Sequence, residues 1–325
     1  MSSHSNLVQV AIVNYRTPEL TIDCLQSLVS EIGSLPGTKV VVVDNNSGDN
    51  SVEKIEEAIT ANGWQNWASV LASDYNGGYA YGNNLVIRSA LTSANPPDYF
   101  MILNPDTQVR AGALKMLVDF LEEHPHAGIA GACVEGENGY AYQIAFRFPS
   151  ILGEFERGLR LGIVSKLLSK WVVAQEMRDD EPTEVDWVSG GTMMIRRQVF
   201  ESAGLMDEDY FLYYEETDFC LQAKRAGWSS WHIPYSRIMH IGGQSSGITA
   251  PGTPKRLPQY WFNSRRRYFL KNYGLLYSIL ADAAWLSGYT LWRLRRLIQS
   301  KPDSDPPYLL IDSFSNSVFL KGGTL

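Results

Sequence analysis

The chain has 325 residues, 45% hydrophobic and 12% aromatic, so it can bury a full core in one large domain or two. Its three cysteines, Cys24, Cys133 and Cys220, are far apart, which argues against a disulfide framework and a cysteine zinc site and fits a reducing cytosol. The net charge of -7 argues against nucleic-acid binding by the main body, and the short polar N-terminus predicts no cleavable secretory signal.

The predicted elements of the first half alternate between strand and helix. The apolar runs predict strands, and the amphipathic stretches between them predict helices, the first of which begins at Thr17-Pro18. In chain order the predicted strands are 7–13, 39–43, 68–72, 99–103 and 128–134, and the predicted helices are 51–61, 79–91 and 111–124. This alternation predicts an α/β fold with a mostly parallel sheet and helices on both faces.

Polar side chains follow three of these strands. They are Asn14-Tyr15-Arg16, Asp44-Asn45-Asn46-Ser47 and Asn104-Pro105-Asp106. Ligands bind outside the carboxyl ends of strands in open α/β sheets, so Asp44 is a candidate for a base or ribose, Tyr15 for stacking and Asp106 for a metal. The structural alternatives are that Asp44 and Ser47 cap the helix near Ser51, and that Asn104-Pro105-Asp106 is only a turn.

A glycine-rich run covers residues 76–84 and reads Asn-Gly-Gly-Tyr-Ala-Tyr-Gly-Asn-Asn. Glycine lets backbone N–H groups approach a ligand closely, and the run opens a helix whose N-terminus favours an anion such as a phosphate. It lacks the Gly-Lys-Ser/Thr of a P-loop and the Gly-x-Gly-x-x-Gly dinucleotide fingerprint, which argues against a kinase or a nicotinamide enzyme.

Acidic residues cluster at Asp207–Cys220, where Glu215, Glu216 and Asp218 follow an aromatic run. An acid beside an apolar rim suits a general base, although helix capping alone explains some of these carboxylates. Before them, a strand predicted over 187–195 is entered through Gly190-Gly191, which permit close approach of a sugar or phosphate. After them, His240 precedes Gly242-Gly243 at a strand end and is a candidate metal ligand.

Together these motifs, in this order over residues 8–247, resemble the family 2 glycosyltransferases of the GT-A fold, in their rhamnosyltransferase-like branch. The resemblance implies a donor site that includes Asn14, Tyr15, Asp44, Asn76, Gly77, Gly78, Asn83, Asn104, Asp106, Gly190 and Gly191. It also implies that Glu216 is the catalytic base, with Asp218 as the alternative. Asp106 and His240 would bind a divalent cation, Mg²⁺ or Mn²⁺.

The resemblance further implies inverting transfer of a sugar from a nucleotide diphosphate donor, dTDP-rhamnose being favoured, to a hydroxyl of a glycan or lipid-linked acceptor. A non-catalytic nucleotide-sugar-binding module and a sugar-nucleotide nucleotidyltransferase are the alternatives. The nucleotidyltransferase should carry a glycine-rich basic loop after the first strand, which Asn14-Tyr15-Arg16-Thr17 does not provide.

A basic, aromatic stretch ends the chain. Residues 255–301 hold ten Lys and Arg and one acid, Asp282, which divides the chain into a glycosyltransferase domain at 1–250 and a helical appendage at 251–325. Arg and Lys mixed with aromatic residues suit an anionic membrane surface, so we expect a cytoplasmic protein with peripheral membrane contact through 255–301. A homodimer interface is the alternative. A spanning helix is less favoured, because the most apolar window, Gly274–Trp292, contains Asp282.

Overall fold

The computed structural model describes residues 7–136, 138–241 and 254–324. The first half forms the predicted alternation of strands and helices. Its elements are β1 (Val8–Asn14), α1 (Pro18–Ser34), β2 (Lys39–Asp44), α2 (Ser51–Ala61), β3 (Ala68–Ala72), α3 (Gly78–Leu91), β4 (Tyr99–Leu103), β5 (Thr107–Val109), α4 (Ala113–Glu123) and β6 (Ala127–Glu135). Each predicted strand and helix is present within two residues of its predicted ends, and the short strand β5 is additional.

The second half has shorter elements and a long C-terminal helix. They are β7 (Ala145–Phe146), α5 (Ile151–Leu159), α6 (Gly162–Leu167), a 3₁₀ turn (Ser169–Trp171), β8 (Thr183–Val185), β9 (Trp187–Val188), β10 (Thr192–Arg196), α7 (Arg197–Ala203), α8 (Glu215–Arg225), β11 (Ser229–His240), α9 (Gln259–Ile298), α10 (Leu309–Ser315) and α11 (Val318–Lys321). The single strand predicted over 187–195 is therefore two strands, β9 and β10, interrupted at the Gly190-Gly191 pair.

Nine strands of the described residues form one sheet, in the order β3-β2-β1-β4-β10-β6-β11-β5, with β8 paired to β11. The strands β3, β2, β1 and β4 are parallel, whereas β10 runs antiparallel between β4 and β6. The all-buried β4 has apolar clusters on both faces, one including residues of α1 and α4 and the other residues of α3, α7 and α8. The fold class predicted from the sequence is confirmed, and its sheet is mixed.

The register of the sheet brings its polar strand ends to one edge. Asn14 pairs with Asp44 at the ends of β1 and β2, and Ile12 pairs with Leu103 at the end of β4. Antiparallel β10 starts at the same edge, because Thr192 pairs with Leu103. The loops after β1, β2 and β4 and the loop before β10 therefore meet there.

The C-terminal helices pack closely on the rest of the fold. Helix α9 crosses α5 at a contact between Gly158 and Gly288, where a Cβ on Gly158 would lie 2.7 Å from the carbonyl oxygen of Trp285. The N-terminal part of α9 is tied to the acidic segment, since Arg267 and Lys271 lie 2.9 and 2.8 Å from Asp207. Much of the positive charge of the basic stretch is therefore paired within the protein, and its C-terminal region is helical as predicted.

Helix α9 is interrupted at Gly274, whose φ of 78° and ψ of 177° lie outside the helical region. The predicted domain boundary at residue 250 lies outside the described residues, as do Gly242 and Gly243. None of the helices in the described ranges is both long and apolar enough to cross a bilayer.

Candidate active site

Asn14 is buried and braces the start of the site. Its Nδ2 donates to Oδ1 of Asp44 at 2.7 Å, and its Oδ1 accepts from the hydroxyls of Thr17 and Thr21. Thr17 directly precedes α1, and its hydroxyl donates to Asn14 but makes no capping hydrogen bond to the helix. The hydrogen bonds of Asn14 thus fix the loop after β1 relative to β2.

Asp44 shapes the loop after β2. Its Oδ2 accepts the N–H of Ser47 at 3.0 Å, and its Oδ1 accepts the Ser47 hydroxyl at 2.6 Å. The N–H of Ser51, at the start of α2, instead donates to Asp49 at 2.9 Å. The alternative in which Asp44 and Ser47 cap this helix is therefore wrong. Beside this loop Tyr15 is 38% exposed, and the Arg16 guanidinium lies over its ring, 5.1 Å from the centroid.

The glycine-rich run packs against the acidic segment. Gly78 has a φ of 86°, and a Cβ there would collide with the carbonyl oxygen of Phe211. That carbonyl accepts the N–H of Tyr79 at 2.9 Å, and Asn76 Oδ1 accepts the N–H of Gly78 at 3.1 Å. Two N–H groups at the start of α3 are thus already bonded within the protein. The group that approaches Gly78 closely is therefore the Phe211 carbonyl of the same chain.

Two adjacent asparagines on α3 differ in their contacts. Asn84 is clamped to the acidic segment, because its Nδ2 donates to the Met206 carbonyl at 2.7 Å and its Oδ1 accepts the Met206 N–H at 3.2 Å. Asn83 donates to the Tyr79 carbonyl at 3.0 Å, while its buried Oδ1 has no hydrogen-bond partner in the described chain. Sequence reasoning selected Asn83 and missed the anchoring contacts of Asn84.

Tyr79 connects three loops of this edge. Its hydroxyl lies 2.8 Å from Asn104 Oδ1 and 3.2 Å from the Gly190 carbonyl, and the Asn104 N–H donates to the Gly191 carbonyl at 3.0 Å. A Cβ on Gly191 would lie 2.6 Å from Asn104 Nδ2, so glycine is required there. We call Tyr79, Asn104, Gly190 and Gly191 the Tyr79 cluster. Tyr79 was not among the predicted site residues, although its place among the glycines of the motif was a signal.

Asp106 and His240 meet beside this cluster. The loop after β4 is a turn, as the structural alternative predicted, yet it also places the buried Asp106 with Oδ1 3.0 Å from Nε2 of His240. The contact forms because β11 pairs with β5, His240 opposite Thr107, and the Ile241 N–H donates to the Asp106 carbonyl at 3.1 Å. Within the described ranges no group of three or more His, Cys, Asp and Glu could hold a metal ion. A cation here would therefore take two ligands from these residues.

Two glutamates begin helix α8. Tyr213 and Tyr214, just before them, have positive φ values of 70° and 68°, an uncommon conformation for bulky residues that fixes how the helix starts. Glu215 is buried and Glu216 is half-buried, and in the described chain Oε2 of each has no hydrogen-bond partner. A Cβ on Gly190 would lie 3.2 Å from the Cβ of Glu216, so the second glutamate lies against the Tyr79 cluster.

The two glutamates are neighbours of like charge in a poorly hydrated place. Burial raises the pKa of Glu216, and the backbone N–H groups near it, including that of Gly190, only partly offset this. Burial and then the charge of Glu216 raise the pKa of Glu215 well above its usual value. The pKa of Glu215 is therefore raised beyond what burial alone would cause, because the charge of Glu216 also disfavours its ionised form.

Asp218 belongs to a different set of contacts. Its Oδ2 lies 2.6 Å from Lys271 Nζ, and its Oδ1 accepts from Asn272 at 2.6 Å. On a helix, side chains two positions apart do not share a face, so Asp218 points away from the direction of Glu216. The carboxylate that was the alternative base is thus used to dock α8 on α9.

The carboxylates of the site surround one phenol. Burial raises the pKa of Tyr79 well above its usual value, and the charges of Glu215, Glu216 and Asp106 add to this. Residues separated by more than one hundred positions, Asp106 and Glu216, therefore act electrostatically on the same group. The arrangement joins an acid at the end of β4 and an acid at the start of α8 through the Tyr79 cluster.

Two solved structures share this architecture. PcManGT, a mannosyltransferase from Pyrobaculum calidifontis solved with GDP-Man and Mn²⁺, aligns with a TM-score of 0.57 at 14% identity over 99% of this chain and 85% of that one. GalNAc-T7 with UDP, GalNAc and Mn²⁺ aligns at 0.54 and 16% identity over 97% of this chain and 55% of that one. The fold is the GT-A glycosyltransferase fold.

A family model described as Glycosyl transferase family 2 matches residues 9–203, more than half of the chain. The chain belongs to glycosyl transferase family 2. The match ends before α8, so it covers Asp106 and the Tyr79 cluster but not Glu216 or His240.

Its curated relatives include rhamnosyltransferases. The N-acetylglucosaminyl-diphospho-decaprenol L-rhamnosyltransferase of Mycobacterium tuberculosis is 30% identical over 154 residues, 46% of this chain and 49% of the relative. The dTDP-rhamnosyl transferase RfbF of Shigella flexneri is 26% identical over 275 residues, 84% of this chain and 80% of the relative. The chain thus spans about half the length of the mycobacterial relative it matches.

Proposed function

We propose that this chain is an inverting glycosyltransferase that moves a sugar, with rhamnose favoured, from a nucleotide diphosphate donor to a hydroxyl of a glycan or lipid-linked acceptor. The single observation that supports this best is that Asp106 and Glu216 lie around the same Tyr79 cluster. One acid is then available at the donor diphosphate and the other at the acceptor. The likeness to RfbF supports dTDP-rhamnose as the first donor to test.

Glu216 is the general base in this proposal. It combines partial exposure, an Oε2 atom without a partner in the described chain, and a raised pKa, which suits a group that must accept a proton and later release it. The acceptor oxygen attacks the anomeric carbon as Glu216 takes its proton, and the bond from that carbon to the diphosphate breaks on the opposite side. This single displacement inverts the anomeric configuration.

The residues at the end of β4 fit two ligands of a divalent cation. Asp106 Oδ1 and His240 Nε2 already lie 3.0 Å apart, and a carboxylate with an imidazole is a donor pair that Mn²⁺ and Mg²⁺ accept. When bound, the cation would supply positive charge to stabilise the departing diphosphate. Asn104 has a different task, since its Oδ1 holds the Tyr79 hydroxyl at 2.8 Å and so fixes the loop that carries Asp106.

Some of the remaining predicted donor residues would contact the donor, and the others hold the loops of the site in place. Tyr15 is exposed for stacking on a base, and Asn83 Oδ1 is a buried acceptor without a partner in the described chain. Asn14, Asn76 and Gly78 are engaged within the protein, so we assign them to shaping the edge. Asp44 holds the loop whose backbone would face the nucleoside.

Donor and reaction are tested in sequence. Thermal shift of the purified chain with dTDP-rhamnose, UDP-N-acetylglucosamine and GDP-mannose, each with and without Mn²⁺, identifies the donor. Release of the nucleoside diphosphate is then measured with and without a glycan or polyprenyl-diphosphate acceptor. Binding without release or transfer would favour a non-catalytic module, and release of pyrophosphate from a nucleoside triphosphate and a sugar phosphate would favour a nucleotidyltransferase.

A further inference from the structure

Arg16 follows β1 directly and is fixed on the loop after β2. Its N–H donates to the Ser47 hydroxyl at 2.9 Å, and its Nε donates to the Ser47 carbonyl at 2.8 Å. Its guanidinium also lies over the Tyr15 ring, 5.1 Å from the centroid, a distance at which a cation and an aromatic face attract each other. The side chain is exposed, yet the Ser47 carbonyl and the Tyr15 ring hold it in one place.

The backbone of Arg16 has an uncommon conformation. Its φ of 58° lies in the left-handed region, where a residue with a Cβ is strained. Such strain persists only where neighbouring contacts impose it, and it clusters at sites that bind ligands. In Arg16 the two hydrogen bonds to Ser47 impose it. The strained turn therefore places the guanidinium beside the loop after β2, at the edge of the sheet where the polar strand ends meet.

Most of the hydrogen-bonding capacity of this guanidinium is unused. An arginine side chain donates from Nε and from both Nη nitrogens, and in the described residues only Nε of Arg16 has a hydrogen-bond partner. Within those residues Arg16 also forms no ion pair. The acids of the adjacent loop, Asp44 and Asp49, accept from Ser47 and Ser51 instead. Arg16 is therefore a fixed cation with donors available to a ligand at this edge.

The strand order decides which part of the donor Arg16 would contact. The order along the edge is β2-β1-β4-β10, with Arg16 bonded to the loop after β2 and Asp106 following β4. Glu216 lies against the loop before β10, on the far side of β4 from Arg16. Neighbouring strands are about 4.8 Å apart, so the loops after β2 and β4 are separated by about 10 Å. With the sugar at Glu216 and the diphosphate at Asp106, the nucleoside lies on the side of Arg16.

We propose that Arg16 is a specificity-determining residue whose guanidinium donates to a carbonyl oxygen of the donor base. A guanidinium has donors and no acceptor, so it matches the carbonyl groups of thymine, uracil and guanine. Adenine has no carbonyl group and presents an amino group, which cannot accept from the guanidinium. The consequence is a preference for nucleotides of the first three bases over adenine nucleotides. This inference rests on the proposed function, because it requires a nucleotide-sugar donor.

Calorimetric titration of the full chain in the presence of Mn²⁺ tests this preference. The Kd is measured for dTDP, UDP, GDP and ADP, and the tightest binder of the first three is compared with ADP. The variants are Arg16→Ala and Arg16→Met, the second of which keeps the length of the side chain without its donors. The matched control is Lys39→Ala, an exposed cation at the opposite end of β2 that is also bonded to a backbone carbonyl. Circular dichroism and thermal unfolding confirm that each variant folds.

We expect wild type and Lys39→Ala to prefer the carbonyl-bearing nucleotide. Both Arg16 variants should bind that nucleotide at least about tenfold more weakly and ADP almost unchanged, because a hydrogen bond from a charged group is lost for one base only. An equal loss for both nucleotides would place Arg16 at the phosphates or in a purely structural role, and it overturns the proposal. So does a preference that the Arg16 variants retain, or a wild type without one. A wild type that binds none of the four nucleotides overturns the proposed function as well.

Discussion

Gly190 lies so close to Glu216 that a Cβ on the glycine would sit 3.2 Å from the Cβ of the glutamate. The Gly190 carbonyl at the same time accepts the Tyr79 hydroxyl at 3.2 Å. The position of the proposed base is therefore coupled to the loop that enters β10 and, through Tyr79, to Asn104.

Gly190→Ala should lower the turnover number strongly and the stability of the fold only slightly. The added methyl group pushes Glu216 by a few tenths of an ångström, and displacement of a catalytic group costs up to about 100-fold in rate. Steady-state kinetics of transfer measure the effect. Gly33→Ala, at a glycine with open space around it, is the matched control and should retain wild-type kinetics. Wild-type kinetics in Gly190→Ala would contradict the close placement of the base.

Glu216→Gln should reduce turnover by about 100- to 10,000-fold, because the amide cannot take the proton from the hydroxyl of the acceptor substrate. Donor affinity should be unchanged in a thermal shift, since the side chain keeps its size. Glu215→Gln is the matched neighbour and should retain turnover within about tenfold, because an amide resembles the protonated acid. If the two variants exchange these behaviours, the base is Glu215.

The pH profile should report Glu216. The base works ionised, so kcat/KM falls as the pH falls through the Glu216 pKa, and burial places this limb above the pH at which an exposed glutamate titrates. The limb should stay in place in Glu215→Gln, because Glu215 is still neutral when Glu216 ionises. If this limb of the profile moves down by a full pH unit in Glu215→Gln, then Glu215 ionises before Glu216 as the pH rises.

Glu215 should make the protein less stable as the pH rises. Its folded pKa is raised, so the native state binds the proton more tightly than the unfolded chain does, and stability is lost from the unfolded pKa upward through the folded pKa. Glu215→Gln removes this loss. Relative to wild type, the free energy of unfolding of Glu215→Gln should therefore rise as the pH rises above the range in which an unfolded glutamate titrates, by up to about 1.4 kcal/mol per pH unit. A constant difference would refute the raised pKa.

Asp106→Ala should abolish transfer while the fold remains intact, and His240→Ala should raise the Mn²⁺ concentration for half-maximal activity by at least about tenfold. Both follow if these side chains are the two protein ligands of the cation. Activity titrated with Mn²⁺ measures the shift, and His126→Ala, at an exposed histidine on another loop, serves as control. A Mn²⁺ requirement unaltered in His240→Ala would remove the histidine from the cation site.

The first half of the fold could be predicted because each strand and helix there has a local sequence pattern. Examples are the valine run of β2 and the Thr17-Pro18 start of α1. The insertion of β10 between β4 and β6 could not, because it depends on pairing with residues more than sixty positions away. The ion pairs of the C-terminal stretch could not be predicted for a similar reason. Arg265 meets Glu154 across 111 positions, and composition alone does not reveal that contact.

The site was predicted as a set of residues but not as a network. The family resemblance implied that Asp106 and His240 lie together, and the two side chains are in contact. The role of Tyr79 was not, because it depends on Asn104 and on the Gly190 carbonyl 111 positions away. Asp218 was the alternative to Glu216 in sequence, but it lies on another face of α8, beside Lys271 and Asn272.

Gly274 divides α9 into two rods with separate attachments. On its N-terminal side Lys271 is bonded to Asp218, and on its C-terminal side Leu275 rests on Gly323. Its φ of 78° and ψ of 177° belong to a backbone region that only glycine occupies without strain. An L-residue at this position would be strained in the observed conformation. The change of direction within α9 is thus set at one residue that has no side chain.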